Sequence, residues 1–341
     1  MHRKKFLHVA GTVLTAVSLP LKPFAAITPA EEEAYQTPLY LEAGDVIGIT
    51  SPAGHITVER IAPAIKVLQS WGYRVKIGST IGRQDFSFGG TDEERAADFQ
   101  QMLDDSSVKA IMSARGGYGS IRIVDRLNWS KFRQSPKWII GFSDITVLHN
   151  HVHENCKVAS IHSKMCNSFP DDWSKATAIQ IETINSIRDA LSGERMKYTA
   201  VPNVQNKAGN AEGVLIGGNL RTMETLAGSK SDINTSGKIL FLEDTGEYLY
   251  SIDRMLWNLK RSGKLKSLAG LILGGFDIKP DDEGEEFGRT LHEIVLDKVR
   301  EYKYPVCFDF PVGHQRANFA LKCGVKHRLS VDVNAVSLKE I

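Results

Sequence analysis

Cysteine is scarce: four residues in a chain of 341, none in Cys-x-x-Cys spacing, which excludes a disulfide framework and a thiolate metal knuckle. Cys156, Cys166, Cys307 and Cys323 read as buried thiols, and one pair could bridge only in an oxidising compartment. An excess of either charge is also lacking. The 42 Lys and Arg stand against 40 Asp and Glu, a formal charge of +2, and no basic stripe carries interleaved aromatics, so nucleic acid is not called for as a partner. After the N-terminal stretch no run approaches the ~20 apolar residues that a spanning helix needs. Repeats and low-complexity segments are absent. What remains, 42% hydrophobic and 24% charged, is the composition of a globular protein long enough for two cores.

Residues 1–26 follow a signal-peptide plan: a basic start at His2-Arg3-Lys4-Lys5, an apolar stretch from Phe6 to Leu21, and small residues at Ala25-Ala26. His8, Thr12, Thr15, Ser18 and Pro20 make that stretch a poor membrane helix, and no cysteine follows it to take a lipid. The expectation is an exported or periplasmic protein without stable membrane insertion; the alternative is a short N-terminal helix on a cytoplasmic one. A polar leader occupies residues 27–43.

The middle of the first half is organised around Ala110-Ile111-Met112-Ser113-Ala114-Arg115-Gly116-Gly117-Tyr118-Gly119-Ser120. A short apolar run stops at three glycines, and apolar residues return at Ile121, Val124 and Leu127 with helical spacing, so the stretch reads as strand, tight turn, helix. Ser120 then stands at the start of the helix, beside unpaired N–H groups that could hold an oxyanion. This is the logic of a nucleophile elbow, without the Gly-x-Ser-x-Gly pattern. Glycine-rich turns also cradle phosphates, but Arg122 stands where a dinucleotide fingerprint needs its last glycine. A purely structural turn is the third reading.

Around this stretch strands alternate with helices. Strands are expected at Val46–Thr50, Arg74–Gly78, 110–114 and Trp138–Phe142, and helices behind Thr57, behind the Thr91-Asp92-Glu93-Glu94 capping box, and behind Ser143-Asp144, which is read as that helix's cap. The pattern predicts an α/β fold: an N-terminal parallel sheet covered by helices on both faces over 44–166, and a smaller C-terminal α/β domain over 211–341. Residues 167–210 read as a linker with one helix near 176–191. In the second half the strand 238–244 ends in Glu243 and Asp244, Gly313-His314 follows another strand, and 321–325 with 329–333 reads as a hairpin.

A serine nucleophile needs a base and a carboxylate to orient it, and Glu243 and His314 are polar groups delivered to sheet ends by rigid elements. Gly90-Thr91-Asp92-Glu93-Glu94-Arg95, Ala114 to Ser120, Gly141-Phe142-Ser143-Asp144, Phe241-Leu242-Glu243-Asp244 and Gly313-His314, in this order from Gly44 to Val333, together resemble the LD-carboxypeptidase family of serine peptidases, the S66 family. The resemblance implies Ser120 as nucleophile, His314 as base and then acid, Glu243 as its orienting carboxylate, and the bond before the terminal D-alanine of a murein tetrapeptide as the target. It also implies a homodimer. The backbone N–H of Ile121 is the first candidate oxyanion donor, with Gly89 and Gly90 for the second. Ser163-Lys164 departs from the Gly-Pro often found there in the family.

His149, His151 and His153 suggest metal ligands, but no nearby acid completes a set, and they are read as ordinary histidines on a helix surface, with His149 and His153 adjacent at i and i+4. No metal and no cofactor is expected. Two other functions stay open: an immunity peptidase of the same family that cleaves aminoacyl-nucleotide antibiotics, and a nucleotide-binding protein without enzymatic activity.

Overall fold

A computed structural model describes residues 35–341; the signal-peptide reading of residues 1–26 lies outside them. Strands β1 (Val46–Thr50), β2 (Arg74–Ile77), β3 (Val108–Ser113), β4 (Trp138–Gly141) and β5 (Ser160–His162) run parallel in the spatial order β2-β1-β3-β4-β5. The order reverses between β1 and β3, and the loops leaving those two strands meet there, Gly54 N–H donating to Gly116 O at 3.2 Å. Open parallel sheets hold ligands at such a point. The Ser120 turn follows β3 and so lies on this edge.

The segment read as a linker contributes β6 (Lys197–Ala200) to a second sheet, a four-residue strand too short to show a period. That sheet is built on parallel strands β7 (Gly209–Asn219), β8 (Ile239–Glu247), β9 (Gly270–Ile278) and β10 (Val306–Cys307). The expected hairpin of 321–333 is corrected. β11 (Leu321–Cys323) joins the first sheet antiparallel to β5, while β12 (Lys326–Val331) turns into β13 (Val336–Glu340) and pairs with β7. Alternating apolar residues report a half-buried strand and say nothing about its partner.

Strand alternation distributes side chains among three apolar layers. From β3, Ala110 and Met112 face a central layer, with Ile111 on the outer side; from β8, Ile239 and Phe241 face the same central layer, with Leu240 and Leu242 outward. The central layer is therefore shared by both sheets, with Ile61, Ala64 and Leu68 of helix Val58–Ser70 and Ile184 and Ile187 of helix Ala178–Leu191 filling it. Bonds also cross the seam: Asn219 N–H donates to Thr146 Oγ1 at 3.1 Å, and His151 Nδ1 lies 2.9 Å from Ser231 Oγ.

Part of the polar leader is also held in place. Leu39 O accepts from Trp138 Nε1 at 3.0 Å, Tyr40 stacks on Trp138, and Leu41 N–H donates to Leu191 O. The four cysteines are free thiols, Cys166, Cys307 and Cys323 buried and Cys156 half-buried. No helix among the described residues is long and apolar enough to cross a membrane.

Candidate active site

Ser120 opens a helix of one turn, Ser120–Ile123. Gly119 before it has φ 140°, and a Cβ there would lie 2.7 Å from Arg95 Nη1, so the turn requires glycine on both counts. Arg95 is fully buried under the turn, donating to Gly119 O (2.9 Å), Pro52 O (2.5 Å) and Gly90 O (3.1 Å) and pairing with Asp92. One guanidinium thus ties the loops after β1 and β3 to the start of helix Asp92–Asp104, whose Thr91–Glu94 capping box forms as expected. The sequence motifs give Arg95 no role of its own. Its signal was an arginine on the stripe that continues through Phe99 and Met102, where a buried helix face ordinarily carries apolar residues.

Asp144 does not cap its own helix. Ser143 adopts left-handed backbone (φ 62°), and the Asp144 carboxylate accepts from the Ser120 N–H at 2.8 Å. Burial raises the pKa of Asp144, against the pull of that N–H. The bond fixes the elbow and places a carboxyl where a phosphate cradle would need free N–H groups, so the turn is not built to hold phosphate. The Ser120 hydroxyl is buried beside the Asp144 carboxylate and forms no hydrogen bond of good geometry.

Glu243 lies where the pairing of β8 with β7 ends, in register with Asn219 of β7. Its side chain is fully buried; Oε2 accepts from His314 Nδ1–H at 2.5 Å and from the His314 backbone N–H at 3.1 Å. A buried carboxylate on Nδ1 selects the tautomer that leaves Nε2 as the proton acceptor. Gly313 makes this approach possible: at φ 98°, a Cβ would come within 2.4 Å of Glu243 Cβ. Asn318 Oδ1 holds the Gly313 N–H at 2.8 Å, and the Phe142 ring lies 4.9 Å from the imidazole. The structure therefore brings Glu243 and His314 into direct contact, seats Ser120 on its elbow, and forms no hydrogen bond between the serine hydroxyl and the imidazole.

Two clefts flank this centre and share Thr245. One, of about 330 Å³, runs past Gly117, Tyr118, Ile121 and Ser143 to Asn219, Arg221 and Asp244. The other, of about 420 Å³, is lined by Phe142, Lys164, His314, Gln315 and Arg316. Ile121, the expected oxyanion donor, opens onto the first. Gly90 is held by its carbonyl on Arg95, and the Gly89 N–H is already given to Ala53 O at 3.0 Å. Asp244 accepts from Asn219 Nδ2 (2.9 Å) and from the Arg221 N–H (2.9 Å); burial pushes its pKa up to about 6.

The histidines placed on a helix surface are instead buried, because helix Thr146–His151 is packed at the seam between the halves. His149 and His153 stack as their spacing predicts, rings 6.4 Å apart; His149 Nε2 meets Gly141 O and His153 Nε2 meets Ser160 Oγ, each at 2.9 Å. Among the described residues no group of three or more His, Cys, Asp or Glu is placed to hold a metal ion. Burial lowers the pKa of His149 to about 4 and those of His153 and His162 well below the ordinary 6.5. Unfolded imidazoles take up protons that these refuse, so their stabilising contribution is complete above pH 6.5 and is lost as pH falls toward 4. Asp144 and Asp244, with raised pKa values, act in the opposite sense above 3.8. The histidine share is read by difference. His149→Gln, which can still bond Gly141 O, is expected to flatten the dependence of unfolding free energy on pH by up to ~1.4 kcal/mol per unit between pH 5 and 6.5. Denaturant titrations with identical slopes for both proteins would contradict this.

A serine on a strand–turn–helix of one sheet and a buried carboxylate–imidazole pair on the other are the parts a serine hydrolase of α/β build requires. Residues 47–163 match the model of the LD-carboxypeptidase N-terminal domain and residues 212–329 that of its C-terminal domain. A probable murein peptide carboxypeptidase of Bacillus subtilis is 32% identical over 296 residues, covering 85% of this chain and 90% of its own. The crystal structure of muramoyltetrapeptide carboxypeptidase from Oxalobacter formigenes superposes with a TM-score of 0.76 at 29% identity, covering 86% of this chain and 98% of that one. The microcin C7 self-immunity protein of Escherichia coli is 26% identical over 329 residues, 88% of this chain and 94% of that protein. The chain belongs to the LD-carboxypeptidase family, peptidase S66, and is a serine-type carboxypeptidase.

Proposed function

We propose that the protein hydrolyses the bond before the terminal D-alanine of murein tetrapeptides, in the recycling or remodelling of peptidoglycan, with Ser120, His314 and Glu243 as its catalytic residues. The observation that carries this reading is the Glu243–His314 contact, which prepares an imidazole for proton transfer at the seam that the Ser120 turn also borders. His314 Nε2 takes the Ser120 proton as Oγ attacks the carbonyl carbon. The tetrahedral oxyanion is held by the Ile121 N–H, and the C–N bond breaks as His314 returns the proton to the departing D-alanine amine. Water, deprotonated by the same imidazole, releases the acyl group and regenerates the serine. The signal-like N-terminal sequence supports a periplasmic site of action, and family resemblance is the ground for a homodimer.

Incubation with purified muropeptides followed by mass analysis is expected to show tetrapeptides converted to tripeptides with release of alanine. Tetrapeptide left intact would overturn the reading. The likeness to the self-immunity protein supports a second one, cleavage of aminoacyl-nucleotide antibiotics, which the same assay tests with an aminoacyl sulfamoyl nucleoside. The higher identity to the murein peptide enzyme, 32% against 26%, favours the first.

A further inference from the structure

The cleft beside His314 is lined by two cations, Lys164 and Arg316, and by one acid, Asp277, whose exposed carboxylate accepts from Thr245 Oγ1 at 3.2 Å and pairs with neither cation. Lys164 enters it from the turn after β5, at the position where the sequence departs from its family resemblance. Its ammonium donates to Gln315 O at 2.8 Å and lies 5.7 Å from the centre of the Phe142 ring, which also touches the imidazole of His314. Burial lowers the Lys164 pKa, and the carboxylate that counters this is Glu243, already bonded to His314. Arg316, two residues beyond the imidazole, stands exposed at the rim of the same cleft. Among the described residues neither cation forms an ion pair.

The proposed mechanism gives this cleft a direction. The amine that departs must receive its proton from His314, so the leaving residue lies on the imidazole side, and the acyl portion extends along the other cleft past Ile121. A half-buried ammonium is costly until an anion meets it, and a leaving residue at a peptide C-terminus carries one. The geometry points to Lys164 as the residue that holds the free carboxylate of the leaving amino acid, with Arg316 drawing that carboxylate in at the rim. Lys164 then determines that the enzyme removes a terminal residue and does not cut within a chain. This rests on the tetrapeptide reading of the site.

The test compares a murein tetrapeptide ending in D-alanine with the same peptide ending in D-alaninamide, using the full chain, Lys164→Met and Lys164→Arg. The unaltered enzyme is expected to favour the free acid in kcat/KM by on the order of 10- to 100-fold, the range of a charge-assisted contact. Lys164→Met brings the ratio to about one, chiefly through KM for the acid, and Lys164→Arg restores most of it. A preference that survives Lys164→Met, or equal losses on both peptides, overturns the assignment. Calorimetric binding to Ser120→Ala, with and without Lys164→Met, reads the same contact without turnover. Tighter binding of the acid than of the amide, abolished by Lys164→Met, supports the assignment; equal binding, or none, refutes it. If the unaltered enzyme cleaves neither peptide, the tetrapeptide reading fails, and the binding comparison still decides the role of Lys164.

Discussion

Ser120→Ala is expected to lower kcat by a factor on the order of 10⁶ while leaving the fold intact, since removing the nucleophile from a serine peptidase costs about that much. The structure gives a specific reason for the second half of the expectation. The Ser120 hydroxyl lies beside the Asp144 carboxylate without a hydrogen bond of good geometry, and that carboxylate keeps the Ser120 N–H, so removing the hydroxyl leaves no buried group without a partner. The bonds that shape the elbow are backbone ones, Ser120 N–H to Asp144 and Gly119 O to Arg95, and alanine keeps both. Denaturant midpoints should therefore agree to within about 1 kcal/mol of stability. Undiminished alanine release by the variant would remove Ser120 from the mechanism; a lost unfolding transition would show that the elbow depends on the hydroxyl after all.

Glu243→Gln carries the second largest effect, a fall in kcat of roughly 10⁴-fold, the magnitude seen when an orienting carboxylate becomes an amide. The amide oxygen can still accept from His314 Nδ1, so the ring stays in place. The negative charge that steadies the imidazolium as the serine proton arrives is lost. A complementary loss follows from packing: Glu243 is fully buried, and its Oε1 has no partner to receive the new N–H₂. Single-turnover alanine release, compared with substrate binding, separates the two effects. A variant that binds tetrapeptide normally and reacts slowly fits the assigned role, whereas equal rates in the two proteins would exclude Glu243 from it.

Much of the fold was legible because its elements are short and strongly patterned. The capping box at Thr91–Glu94 formed, β1, β3, β4, β7, β8 and β9 fall on the apolar runs, and helix Ala178–Leu191 covers the one expected within the linker. The failures are those of partnership. The residues of β11 looked like half of a local hairpin and crossed to the other sheet, and β6 was too short to register. Asp144 stood at a helix start, where an acid ordinarily caps, but the left-handed Ser143 turned it onto Ser120. The three histidines are buried and not on a surface, since i, i+4 spacing specifies which side chains share a face, and not what that face meets.

Local order along the chain, then, determined which stretches became strands and helices, where glycine had to stand at 119, and the family to which the motifs belong. Only the tertiary structure decided that Glu243 would lie 2.5 Å from His314, that Arg95 would bind three loop carbonyls, and that Lys164 would face the cleft beside the imidazole. The physical reason is range. Propensity, capping and periodicity act over a few residues and are written in neighbouring letters, whereas the burial that pairs a carboxylate with an imidazole 71 residues away depends on how two sheets share one apolar layer.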